Sequence, residues 1–367
     1  MRSRNSKSLF KLAAHFMFFA ALMFIANLPA AHAFGRPYGD VKVLTTVPAT
    51  PGFPEGIAVN GNRVYVAGPA RFGTTGTGPS HVYAFDINTG ALLQTYPTQG
   101  ENLLAEHANS CIAFDGFDRL YVLNTQLGLY RINTATGQQE SYGLPFPDLQ
   151  PCLDGVFGPP CSPTLANTPP LPNDIAFDEN GYAYVTDSMQ ATIWRIAPGG
   201  GQPQIWFQDQ RLASAYIGVN GLRLSPDRSK IFLTVTADLL GGSYVYTLPL
   251  AETPTAADLT VFRQFAPGDL PDGIAFGKSG NLYVTIATPF ASGISVLRPN
   301  GTEAVRLKNA LLSPIFPYDS PANIAFNHKG SLLVTNHAFA TMLPSQFTVL
   351  DVWVDDKASP LDKPLLP

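Results

Sequence analysis

Six times along the chain a short apolar run crosses a polar or glycine-bearing turn into a second apolar run. The first runs begin at Glu55, Ser110, Asn173, Asn220, Asp272 and Ala322, and most continue as Ile-Ala-Phe or a close variant. The second runs centre on Tyr65, Tyr121, Tyr184, Phe232, Tyr283 and Leu333, 10 to 12 residues after the anchor each time. Successive anchors are 55, 63, 47, 52 and 50 residues apart. Turns such as Asn60-Gly61, Asp115-Gly116, Asn180-Gly181 and Ser279-Gly280 separate the paired runs, and Gly and Asn supply the positive φ that tight hairpins require. A strand, turn and strand recurring at about fifty residues predicts an all-β chain, a six-bladed β-propeller with one blade per repeat. Outer strands are predicted at His81–Asp86 and Ala91–Tyr96 in the first blade and at Ala191–Ala197 and Gln202–Phe207 in the third. Proline is concentrated between strands, as hydrogen-bonded ladders demand.

Ring closure can also be read from the pattern. After the sixth anchor only one further strand follows its two inner runs, Phe347–Val354, whereas Val41–Val47 is a spare strand ahead of the first anchor. The N-terminal strand is therefore expected to close the last blade, removing an exposed edge.

The leader changes the picture of the whole. Arg2, Arg4, Lys7 and Lys11 precede an almost wholly apolar stretch, Leu12–Leu28, and Ala31-His32-Ala33 offers a small-x-small cleavage site. Residues 1–33 read as a signal peptide, with an uncleaved membrane anchor as the alternative. The expected destination is periplasmic or secreted, with no stable membrane insertion after cleavage, and the propeller domain is expected over 34–367. Without those four basic residues the chain carries 19 Lys+Arg against 27 Asp+Glu. That balance repels phosphate backbones, so nucleic acid is not an expected partner; a monomer is expected. Cys152 and Cys161 bracket a Gly/Pro-rich loop, and an exported chain suits a disulfide between them. Cys111 is expected to be a small buried hydrophobe. The Pro-rich stretch Leu144–Leu171 is expected as an insertion over the face where inner strands begin.

Equivalent positions in a radial fold converge on its axis. Glu55, Asn173, Asn220 and Asp272 would bring together two carboxylates and two amide carbonyls, a hard-oxygen set suited to one divalent cation. Ca²⁺ is expected ahead of Zn²⁺, Mg²⁺ or Mn²⁺. No His or Cys, the ligands Zn²⁺ prefers, stands at an anchor. The B-strand ends point to the same face and offer Asn124, Asp187 and Asn336 as candidate substrate contacts. His337, His107 and the anchor Asp272 are candidate proton acceptors.

The order Glu55, Ser110, Asn173, Asn220, Asp272, Ala322 resembles the senescence-marker-protein/gluconolactonase family of six-bladed propellers, with paraoxonases and diisopropyl fluorophosphatase as more distant relatives. The local contexts Pro172-Asn173-Asp174, Asn220-Gly221-Leu222 and Pro271-Asp272-Gly273 are similar too. The resemblance implies a divalent cation on Glu55, Asn173, Asn220 and Asp272, and metal-dependent hydrolysis of a small-molecule lactone or ester, with phosphotriester cleavage as a side activity. The rival expectation is a non-catalytic, ligand- or protein-binding propeller with a structural calcium.

Overall fold

A computed structural model describes residues 35–152, 161–289, 291–313 and 316–367; the expected signal peptide lies outside them. Among these residues no helix is long and apolar enough to cross a membrane. Among the described residues twenty-four strands form six four-stranded antiparallel sheets. Five sheets are built from strands consecutive in the chain, beginning at β2 (Ile57–Asn60), β6 (Asn109–Phe114), β10 (Pro172–Phe177), β14 (Val219–Leu224) and β18 (Pro271–Phe276). The sixth runs β22 (Pro321–Phe326), β23 (Ser331–Asn336), β24 (Thr348–Trp353) and then β1 (Val41–Thr46). β1 pairs antiparallel with β24, Val41 opposite Val352 and Thr46 opposite Thr348. The N-terminal strand thus closes the ring, as expected, and protects the last edge.

The core lies between the blades. Strand β7 (Arg119–Asn124) is buried on both faces, and its alternation sends Leu120 and Val122 toward blade one and Tyr121 and Leu123 toward blade three. Each of the six hydrophobic clusters likewise draws on two neighbouring blades, the last joining Ile57 and Tyr83 to Leu333 and Val349. Ring geometry therefore follows from strands that are apolar on both sides.

At the axis the inner strands depart from regular pairing. The register shifts between Asn109 and Ile112, Pro172 and Ile175, Val219 and Leu222, Pro271 and Ile274, and Pro321 and Ile324. These β-bulges fall on the anchor and the residue after it, where an extra residue re-aims side chains. Where the second bulge residue is glycine, the next blade explains it. A Cβ on Gly273 would stand 2.6 Å from the Ala322 carbonyl oxygen, and one on Gly221 2.3 Å from that of Asp272.

A threonine in the B strand fastens each of four anchors. Thr186, Thr234, Thr285 and Thr335 donate to the carbonyls of Asn220 (2.5 Å), Asp272 (2.7 Å), Ala322 (2.7 Å) and Glu55 (2.6 Å), each in the next blade. Between blades two and three Ser110 takes this part, donating to the Pro172 carbonyl. The Cys152–Cys161 disulfide is formed, and Cys111 is a buried free thiol.

Candidate metal centre

Glu55, Asn173 and Asn220 are buried, with Asp272 slightly more open. The Asn220 amide donates through Nδ2 to Thr236 Oγ1 at 2.9 Å, and Thr236 donates on to the Pro271 carbonyl. That contact orients the amide and leaves Asn220 Oδ1 buried with no partner; Asp272 Oδ1 is in the same condition. Two orphaned anionic or carbonyl oxygens cost free energy unless something electropositive meets them. The carboxylates report the same deficit. Burial, then the neighbouring Asp174 carboxylate, pushes Glu55 up to about 8. Burial, then Glu55 and Asp174, lifts Asp272 well above the usual carboxylate range, against a hydrogen bond from Asn220. A hard dication among two carboxylates and two amides would reverse both shifts, so the residues fit such an ion. Among the described residues no group of three or more His, Cys, Asp or Glu is placed to hold a metal; the candidate set depends on its amides. Of the other anchors, Ser110 spends its hydroxyl on the Pro172 carbonyl, and Ala322 offers only a methyl group.

His337 lies beside the centre, its Nδ1 2.9 Å from Glu55 Oε2. Burial, then the charge of Arg71, pushes its pKa down to about 3 against the pull of Asp319, so the ring is neutral at pH 7. Its Nε2 is buried without a partner. Phe53 packs edge-on at 5.8 Å and Phe339 at 4.0 Å.

The remaining expected site residues are committed elsewhere. His107 has Nδ1 on the Ala105 carbonyl (2.9 Å) and Nε2 on the Gly78 carbonyl (2.7 Å), so both ring nitrogens are engaged by loop backbone. Asn124 accepts from the Gln126 and Leu127 amides and donates to Glu101 and Asn109. Asp187 accepts from the amides of Leu171, Met189 and Gln190 and from the side chains of Gln190 and Trp194. Asn336 accepts from the Asp319 amide and donates to the carbonyls of Pro317 and Gln346. All three hold the backbone that leaves or enters a blade.

A layer below the anchors went unrecognised in the pattern. Buried Asp174 takes both Nη1 contacts of Arg223, at 2.9 and 2.8 Å, plus the amides of Ile175 and Leu222. Arg223 replaces an alanine found at the equivalent place in every other blade: Ala58, Ala113, Ala176, Ala275 and Ala325. That substitution was the available signal.

Among the loops of blades one to three, a cavity of about 400 Å³ is walled by Arg71 and Phe72 of blade one, Glu106 and His107 of blade two, and Thr168–Leu171 with Met189 of blade three. The end of the Leu144–Leu171 insertion thus forms part of its wall. The insertion is also tied to blade three, with the Leu149 amide on Gln190 Oε1 and Thr168 on the Met189 carbonyl. Residues 153–160 lie outside the described residues.

Comparison with known proteins agrees with the repeat. The family model described as SMP-30/Gluconolactonase/LRE-like region matches residues 75–338. A curated gluconolactonase of Zymomonas mobilis is 27% identical over 187 residues, 44% of this chain and 46% of that protein, so the match spans under half of the relative's length. The fold is similar to a calcium-binding protein, regucalcin, of Agrobacterium tumefaciens, with a TM-score of 0.61 at 16% identity over 90% of this chain and 98% of that one. It is also similar to a virginiamycin B lyase of Staphylococcus aureus, with a TM-score of 0.54 at 15% identity over 86% and 99%. At such identities these structural likenesses speak for the fold alone.

Proposed function

Because the chain belongs to the SMP-30/gluconolactonase/LRE-like family, we propose that it is an exported, divalent-metal-dependent hydrolase of a lactone or related ester. The observation that carries this reading is the pair of partnerless oxygens, Asn220 Oδ1 and Asp272 Oδ1, beside a second buried carboxylate, Glu55. Glu55, Asn173, Asn220 and Asp272 would hold the cation, with Ca²⁺ first among candidates. When bound it would supply a Lewis acid for the acyl oxygen and offset the charge that develops there.

The chain's own residues supply the rest. With Glu55 ionised, His337 Nδ1 must carry the ring proton and donate it to Glu55 Oε2. Nε2 is then the lone-pair nitrogen, free of protein partners and suited to accept a proton from attacking water. Phe53 and Phe339 hold the imidazole in place. Asp272, as an expected metal ligand, has less basicity to spare, so His337 is the preferred base. Export rests on the leader composition, and the formed Cys152–Cys161 bridge suits an oxidising compartment.

The test is a panel of lactones, aryl esters and phosphotriesters assayed with the purified mature protein, with and without Ca²⁺. Metal-dependent turnover of a lactone is the expected result. A second reading, a calcium-binding propeller without catalysis, is consistent with the fold-level likeness to regucalcin; metal binding with no turnover across the panel would favour it.

A further inference from the structure

Arg71 links the surroundings of the candidate metal centre to the cavity of blades one to three. Its guanidinium lies 4.3 Å over the Phe53 ring, and Phe53 packs on the His337 ring that touches Glu55. The same side chain lines the 400 Å³ cavity, opposite Leu171 and Met189. Its Nε donates to the Phe72 carbonyl at 2.8 Å, and among the described residues it makes no ion pair.

The nearby acids do not take up its charge. Glu106 lines the cavity, but its oxygens accept from the Gly73 and Thr74 amides and the Thr74 and Thr75 hydroxyls at 2.7 to 3.2 Å. Those contacts pin the loop that follows Arg71. Asp319 is likewise turned to the Ala340 amide and the Thr341 hydroxyl. Asp174 is paired with Arg223. Arg71 is therefore a half-buried cation with guanidinium N–H donors to spare, stacked on an aromatic face. That placement holds a planar fork at a fixed angle and suits recognition of a carboxylate. The cavity volume lies within the ~300–1,000 Å³ usual for small-molecule sites, and its other walls are largely apolar.

We propose that Arg71 forms an anion subsite, so that the preferred substrate is a lactone carrying a carboxylate rather than a neutral one. The acyl group would lie toward Glu55 and His337, and the carboxylate toward the guanidinium. This rests on the hydrolase reading above for turnover but not for binding.

The experiment pairs two γ-lactones of equal ring size, one bearing a carboxylate and the other the matching carboxamide. It also titrates the ring-opened dicarboxylate calorimetrically into the calcium-loaded protein. Wild type should prefer the carboxylate lactone, and added salt should weaken that preference. Arg71→Gln should lower kcat/KM on the carboxylate lactone and weaken dicarboxylate binding by roughly ten- to hundredfold, with the carboxamide changed less than about threefold. Arg71→Lys should recover part of the loss, because charge without the fork restores attraction but not geometry. If neither lactone turns over but the dicarboxylate binds and Arg71→Gln loses it, the subsite stands and the hydrolase reading fails. Equal losses on both lactones, or unchanged dicarboxylate affinity in Arg71→Gln, would overturn the subsite and reduce Arg71 to packing on Phe53. A dicarboxylate that does not bind wild type would overturn it as well.

Discussion

The two ends of the axial channel are made from the same six strands, yet they differ in almost every respect. At the end where inner strands begin, the anchors differ from blade to blade and present oxygens, two of them without partners. Three residues on, the same strands present alanine in five blades and Arg223 in the sixth. Below that ring lies a chamber of about 400 Å³, and the C-terminal tail crosses it. The Ser359 amide donates to the Phe276 carbonyl, Asp362 pairs with Arg228, and the Pro364 carbonyl accepts from the Gly116 amide. Leu366 is buried against the cluster between blades two and three. The upper end is thus varied and polar at its anchors, and the lower end is lined by a repeated alanine ring and strapped by the tail. The repeat dictates where side chains meet, and departures from the repeat dictate what the meeting can do.

The Asp174–Arg223 pair divides the two ends, and breaking it should have the largest effect on the comparison. Asp174→Ala would strand a guanidinium that is only 10% exposed, at a cost of about 3–5 kcal/mol. Replacing both partners by Asn and Met should recover most of that. The measurement is denaturant unfolding of the two variants. If Asp174→Ala alone cost less than about 1 kcal/mol, the divider would be unimportant.

A pH series sharpens the upper end. Glu55 has its native pKa raised from 4.5 to about 8, and Asp272 is shifted the same way. Between the unfolded values and about 8 the native state holds protons that the unfolded chain has released. Metal-free stability should therefore fall as pH rises through that window. Ca²⁺ binds the ionised native site, so the Tm difference between calcium-loaded and chelated protein should widen from pH 5 to pH 8. A difference independent of pH would contradict the raised carboxylates.

The smallest effect belongs to the lower end. Removing Leu366 and Pro367 deletes a buried side chain and the carbonyls that Arg119 and Arg131 engage. Stability should drop by about 1–3 kcal/mol, read as a lower Tm, while calcium affinity and kcat/KM stay within about twofold of wild type.

Much of this was legible in the chain because it repeats. Blade number, the closing strand and the anchor positions each rest on a pattern seen several times, and period-two burial on both faces leaves little freedom in how such strands assemble. The interblade threonines Thr186, Thr234, Thr285 and Thr335 repeat as well, and Arg223 in place of alanine was equally visible. What could not be read was the use of a side chain at a given position. Asn124, Asp187 and Asn336 stand at the correct strand ends, but short polar side chains there turn back to nearby amides more readily than they reach the axis. His107 and His337 looked alike as isolated histidines. Only the fold shows one clamped between two carbonyls and the other set against Glu55, 282 residues away in the chain. Local sequence carries no trace of a contact that ring closure creates.

Calcium titration by calorimetry on metal-free protein tests the central claim most directly, comparing wild type with Asp272→Asn and Ser110→Ala. Both changes fall on anchor positions, but only Asp272 has an oxygen that the fold leaves unpaired; Ser110 is bonded to Pro172. One site per chain in wild type, affinity lowered at least about tenfold in Asp272→Asn and unchanged in Ser110→Ala is the result expected here. Equal calcium affinity in wild type and Asp272→Asn would contradict it.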